Sequence, residues 1–315
     1  MTWPARAISS VPCATAEEDR RMELISGLAA VVAPVFLIAA AGFIWEKRGY
    51  PFDQGLVTNL MTLVAAPCLV FSTFTTTRIS FAEAGLMVQA TLACLGLFAL
   101  VAFIGLKLAG MPLRVYLPSL VFPNIGNLGL PVCLFAFGDR GLALATVFFA
   151  VTTIGQFTLG PAVASGRFQL GAMARTPLIY AVVVALLLGG YEVPIPRWIA
   201  NTTSLAGGMA VPLMLIALGV ALAKLKAANL GRSVAMAVAR LGMGVAGGWV
   251  VATFLFNLDG IQRGVVIIES AMPVAVFNYL FAVMYDNQPE EVAGMVLTST
   301  ALALVGLPFL VAFVT

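Results

Sequence analysis

VFPNIGNLGLPV, residues 121–132, is the stretch on which the fold turns. Pro123 and Pro131 bracket Asn124, Gly126, Asn127 and Gly129, inside an apolar block running from about 115 to 137. Proline removes a backbone donor and clashes with the preceding turn, while glycine tolerates nonhelical dihedrals. Two prolines, two glycines and two asparagines within nine residues cannot make a regular lipid-facing helix. Unpaired backbone at bilayer depth survives only when it is buried in protein or lines a water-filled cavity. The stretch therefore predicts a broken membrane helix that faces inward.

A second block, VVIIESAMPVAVFNYLFA (residues 265–282), has the same character, with Glu269, Ser270, Pro273 and Asn278 set among apolar residues. Pro131 and Pro273 lie 273 − 131 = 142 residues apart. AAPCLVF around Pro67 and AVPLMLI around Pro212 form another related pair, 212 − 67 = 145 residues apart. Two similar offsets predict an internal repeat. Two broken helices at corresponding positions of the repeat point to a substrate site near the midplane.

The composition agrees with a membrane setting. Of 315 residues, 61% are apolar and only 10% are charged, and the mean hydropathy is +1.02. Soluble domains run nearer 45–50% apolar and about 25% charged. A net charge of +3, spread as punctuation between apolar blocks, argues against a nucleic-acid partner. There is no histidine, which removes imidazole metal sites and Ser-His triads. The four cysteines, Cys13, Cys68, Cys94 and Cys133, show no metal spacing, so neither a metal site nor a resident cofactor is expected.

A helix needs about 20 apolar residues to cross the bilayer. Blocks of that kind lie near 24–45, 55–75, 82–109, 115–137, 141–164, 175–190, 199–222, 231–256, 261–284 and 290–314. The expected fold is an all-α polytopic membrane protein with ten transmembrane helices. Because five is odd, a second set of five must insert upside down relative to the first. The expected division is 1–22 as a disordered tail or misassigned start, with translation then beginning at Met22. Residues 23–166 form the first five-helix repeat and 167–315 the second, inverted repeat.

Orientation follows from the Lys/Arg bias of short loops. One set of loops carries Lys47, Arg48, Lys107, Arg114, Arg167, Arg175, Lys224, Lys226 and Arg232, nine in all. The opposite set carries four, Arg78, Arg140, Arg197 and Arg263. The excess puts the first set in the cytoplasm and both termini outside a multi-pass cytoplasmic (inner) membrane protein. Arg6, Arg20 and Arg21 in the N-terminal tail count mildly against that orientation.

PNIGNLGLP (residues 123–131) and AMPVAVFNYLFA (residues 271–282) resemble segments of the auxin efflux carrier family, which contains plant PIN carriers and bacterial malonate-type permeases. Pro123, Asn124, Gly129 and Pro131 match a P-N-x-x-x-x-G-x-P crossover segment. Ala271, Pro273, Phe281 and Ala282 resemble an alanine-to-proline segment running into F-A, here with one residue between Ala271 and Pro273. The resemblance spans about residues 22–315. It implies two inverted repeats whose fourth and ninth helices cross as in sodium/bile-acid symporters and NhaA-type antiporters. It also implies alternating access by an elevator-like movement, with both termini outside. The short stretch around Arg167–Arg175 is similar to bacterial members and departs from plant PINs, whose long cytoplasmic loop carries regulation.

Within that frame, Asn124 and Asn127 are candidates to hydrogen-bond a substrate carboxylate, helped by the positive end of a half-helix. Their alternative role is to patch backbone groups freed by Pro123 and Pro131. Asn278 carries the same two readings, and Pro273 shapes the second break. Glu269 is the deepest acid of the chain and reads either as an ion-coupling site for H⁺ or Na⁺ or as a buried partner of Arg240. Ser270 either ligates that cation or caps the half-helix. Pro67 and Pro212 read as kinks, Gln156 as a packing or interface residue, Arg240 as a snorkelling or paired cation, and GMGVAGG (residues 242–248) as a close helix contact.

The expected function is a secondary transporter for a small organic anion, a mono- or dicarboxylate such as malonate or malate. An auxin-like aromatic acid carrier or an uncoupled facilitator is the alternative, followed by a channel or sensor module. A membrane enzyme would need paired acids or a nucleophile with its base inside the spans, and only Glu269 sits deep in one. The expected partners are the substrate anion and the lipid bilayer, with a homodimer left open.

Overall fold

The structure is a computed structural model that describes residues 30, 33–77, 79–166, 177–190, 193–225 and 229–315. The N-terminal tail (1–22, with Cys13 and Met22) and the loop cations Arg78, Arg167, Arg175 and Lys226 lie outside the described residues. Apart from one isolated bridge between Pro123 and Val274, the described residues hold no β structure.

The helices run in chain order as α1 (33–47), α2 (Gln54–Leu60), α3 (Ala66–Thr77), α4 (Phe81–Leu108), α5 (Leu113–Val121) and α6 (Leu130–Ser165). They continue as α7 (Pro177–Gly190), α8 (Arg197–Gly208), α9 (Ala210–Lys224) and α10 (Leu230–Val250). The last three are α11 (Gly260–Ser270), α12 (Val276–Met284) and α13 (Pro289–Val314). Wide π turns join α2 to α3 (Met61–Ala65) and precede α6 (Ile125–Gly129). Among the described residues, six continuous helical stretches are long and apolar enough to cross a bilayer. The protein is therefore a polytopic, all-helical membrane protein.

One chemical cause recurs at the interruptions. Proline has no N–H and its ring clashes with the carbonyl four residues earlier. For Pro67 and Pro131 those carbonyls belong to Leu63 and Asn127, each inside a π turn. For Pro212 it is Gly208, where α8 ends. For Pro273 it is Glu269, one residue before α11 ends. Starts are marked as clearly. Ser80 forms a capping box with Glu83 at the head of α4, and Asn229 caps α10. Within α6, Gly138 has φ 63°, a left-handed conformation that glycine adopts at little cost, and the helix breaks there into two arms.

The helices pack in two groups. In one, α3 lies against α7 and α8, while α1 and α9 approach closely enough that a Cβ on Gly219 would sit 1.9 Å from Ala39 O. In the other, α10 packs on α13 and α11, and α11 packs on α6. All three ion pairs among the described residues stay inside a group: Glu46–Lys224, Glu83–Arg140 and Arg232–Glu291. The seam between the groups holds the site.

Candidate functional site: the crossing of two broken helices

The two interruptions meet. Where α5 ends and the π turn before α6 has yet to begin, the chain is extended, and it pairs with the extended residues between α11 and α12. Asn124 N donates to Pro273 O at 2.7 Å, and Ala275 N donates to Phe122 O at 3.3 Å. These bonds satisfy backbone groups that each broken helix leaves without internal partners. Proline supplies the break on each strand, and each strand supplies the other's missing partner.

Asn278 clamps the crossing from behind. Its Nδ2 donates to Phe122 O at 3.2 Å, and its Oδ1 accepts from Gln156 Nε2 at 3.2 Å. Ser299 Oγ accepts from Val274 N at 3.1 Å, tying α13 to the same segment. Asn278 thus takes the backbone-patching role, with its side chain consumed by the scaffold. Gln156 is its partner and a cavity-wall residue, a role beyond the packing expected of it. The available signal was an amide in the middle of an apolar span, which is costly unless partnered.

In front of the crossing is a cavity of about 310 Å³. Pro123, Asn124 and Asn127 line it, together with the backbone of Ile125 and Gly126. Asn124 is 4% exposed, and its Nδ2 has no hydrogen-bond partner. A buried amide left in that condition costs about 1–3 kcal/mol, which an acceptor entering the cavity would relieve. The first-turn N–H groups of a helix also have no internal acceptors. Here they belong to the turn beginning at Ile125 and to α12, and residues of both starts line the cavity. Two half-helix N-termini therefore present partial positive charge to one space.

The remaining walls are mostly apolar, with Thr58, Thr153 and Gln156 as their polar members. Phe149, Phe157 and Phe277 come from one helix group, and Met61, Leu63 and Met214 from the other. Phe157 and Phe277 meet edge to face, with centroids 5.0 Å apart. No lining residue carries a formal charge. The site offers amides, hydroxyls, dipoles and aromatic surface. Among the described residues no group of His, Cys, Asp and Glu could hold a metal ion.

The other expected site residues lie off the cavity wall. Pro131 opens α6, and Pro273 gives its carbonyl to Asn124. Glu269 is fully buried near the end of α11, with Oε1 accepting from Cys133 Sγ at 3.6 Å and Oε2 unpartnered. It lies against the π turn, where a Cβ on Gly129 would be 2.0 Å from Oε2, so any side chain at that position would force the carboxyl to shift. Ser270 Oγ donates to Cys94 Sγ at 3.4 Å. Arg240 neither snorkels nor pairs with Glu269. It is fully buried and donates from Nη2 to Ser270 O at 2.8 Å, and it forms no ion pair among the described residues. The expected close contact in GMGVAGG is present, with Gly244 and Gly248 packed against Ser270.

Comparison with known proteins places this architecture. An uncharacterized transporter of Methanocaldococcus jannaschii is similar, 25% identical over 295 residues covering 87% of this chain and 94% of the relative. An uncharacterized transporter of Methanothermobacter thermautotrophicus is 25% identical over 303 residues, 90% of this chain and 98% of the relative. The model of the family described as membrane transport protein, which takes in the auxin efflux carriers, matches residues 28–165 and 161–311. The chain belongs to that family and is a membrane transporter.

Proposed function

We propose that the protein is a secondary transporter for a small organic anion, held by the two half-helix N-termini and Asn124. The observation that carries this reading is the buried, unpartnered Asn124 Nδ2 beside those N-termini in a cavity free of formal charge. A single carboxylate matches such a site, because a few amides and dipole ends can solvate one negative charge. A second carboxylate, as in malonate or malate, would meet walls whose other polar residues are only Thr58, Thr153 and Gln156, the last already bonded to Asn278. The three phenylalanines favour an acid with an apolar or aromatic body.

The same reading takes the chain as ten spans in two inverted repeats, 23–166 and 167–315, in the cytoplasmic membrane with both termini outside. Matching breaks four residues before Pro67 and Pro212, and before Pro131 and Pro273, support the repeat. An elevator-like movement of one helix group along the other is supported by the seam. A second cavity of about 430 Å³, lined by Thr73, Asp139 and Ser204, lies on that seam toward the opposite end of α3. Two cavities along one seam suit a site carried from one side to the other. Glu269 is the coupling residue in this reading, binding H⁺ or Na⁺.

The test is uptake into proteoliposomes of a panel of labelled mono- and dicarboxylates, aliphatic and aromatic. Saturable uptake of a monocarboxylate is expected. Asn124→Ala should weaken its apparent affinity about ten- to a hundredfold, the worth of one hydrogen bond to a charged group. No flux of any acid, or unchanged affinity in the variant, removes this assignment.

A further inference from the structure

Each broken helix ends in carbonyls without internal partners, and the two ends are closed in different ways. At the end of α5, Phe122 O is met by neutral donors, Ala275 N and Asn278 Nδ2. At the end of α11, Ser270 O is met by a guanidinium, Arg240 Nη2. Arg240 lies over the Phe98 ring, 5.1 Å from its centroid. Its Nε and Nη1 have no partner, and among the described residues no carboxylate comes within ion-pairing distance. Gly244 and Gly248 bring α10 onto the same point, where added Cβ atoms would sit 2.2 Å from Ser270 O and 2.6 Å from Ser270 Cβ.

A cation buried without a counterion is costly, so something must offset it. The carbonyl end of a helix carries partial negative charge, and a cation placed there is stabilised. The Phe98 face adds a second attraction of the same sign. Three residues beyond Ser270, Pro273 O holds the Asn124 amide, so the position of the α11 end is passed directly to the cavity wall.

We infer that Arg240 is a built-in cation for the carbonyl end of α11, a positioning residue that sets the second break and through it the Asn124 turn. It rests on reading the crossing as the transport site. Its positive charge is what the site requires, beyond its capacity to donate a hydrogen bond. No dissolved metal cation has to enter to close this helix end.

Two variants separate charge from hydrogen bonding. Arg240→Lys keeps a cation, whereas Arg240→Gln removes the charge and leaves an N–H donor two bonds nearer the backbone. Both are purified, checked for monodispersity, and compared with wild type in melting temperature and in proteoliposome uptake of the best monocarboxylate. The expected result is that Arg240→Lys stays near wild type in both, while Arg240→Gln melts lower and transports about tenfold more slowly, as for loss of a charged hydrogen bond. Equal behaviour of the two variants overturns the inference. If wild type carries no acid at all, the transport reading fails, and the melting temperatures still decide the role of the charge.

Discussion

Asn124 and Glu269 show how one residue type pattern divides into different tasks. Both sit in apolar segments beside a proline, and both keep a polar atom without a partner. Asn124 is part of the cavity lining, whereas Glu269 packs against Gly129 and Cys133. A carboxylate there is not among the proposed anion's walls, yet it packs against the turn that supplies some of them. If Glu269 carries the coupling cation, Glu269→Gln should retain substrate counterflow while losing gradient-driven accumulation. Accumulation at the wild-type level in that variant would remove the residue from the mechanism.

At the scale of the element, the crossing is a short antiparallel pairing placed where neither strand can continue its helix. Its order depends on Asn278, whose amide joins Phe122 O on one side and Gln156 on the other. Asn278→Ala should lower stability by about 1–3 kcal/mol, because a buried amide loses its acceptor. A thermal melt of the solubilised protein reads this, and a wild-type melting temperature would show that the clamp is idle. The sequence marked both broken blocks through their proline, glycine and asparagine content. It could not say which asparagine faced the cavity, because that depends on which residues of the other broken helix lie opposite.

Across the whole molecule, ion pairs and glycine contacts hold each helix group together, and the seam between them carries two cavities. Leu63 lines the first cavity from the α2–α3 turn and is 57% exposed, so it contributes little to the packed interior. Leu63→Ala should therefore leave the melting temperature unchanged while altering the apparent affinity for the transported acid. Gly219, by contrast, sits against the α1 backbone, and Gly219→Val should prevent stable folding. If Leu63→Ala leaves the affinity unchanged, the seam is not where substrate is bound.

Hydropathy and the spacing of prolines are local properties, so the sequence alone determined that the chain is a helical membrane protein and where its helices break. Both consequences follow from the cost of unsatisfied backbone in hydrocarbon, whichever neighbours a helix acquires. The partners of the freed groups were decided only by the tertiary structure. It directs Asn278 inward to the crossing, places Asn124 in the cavity lining with its Nδ2 unpartnered, draws Gln156 into the wall and sets Arg240 on the end of α11. Hydrogen bonds reach about 3 Å, and residues more than a hundred positions apart come within that reach only when the helices have packed.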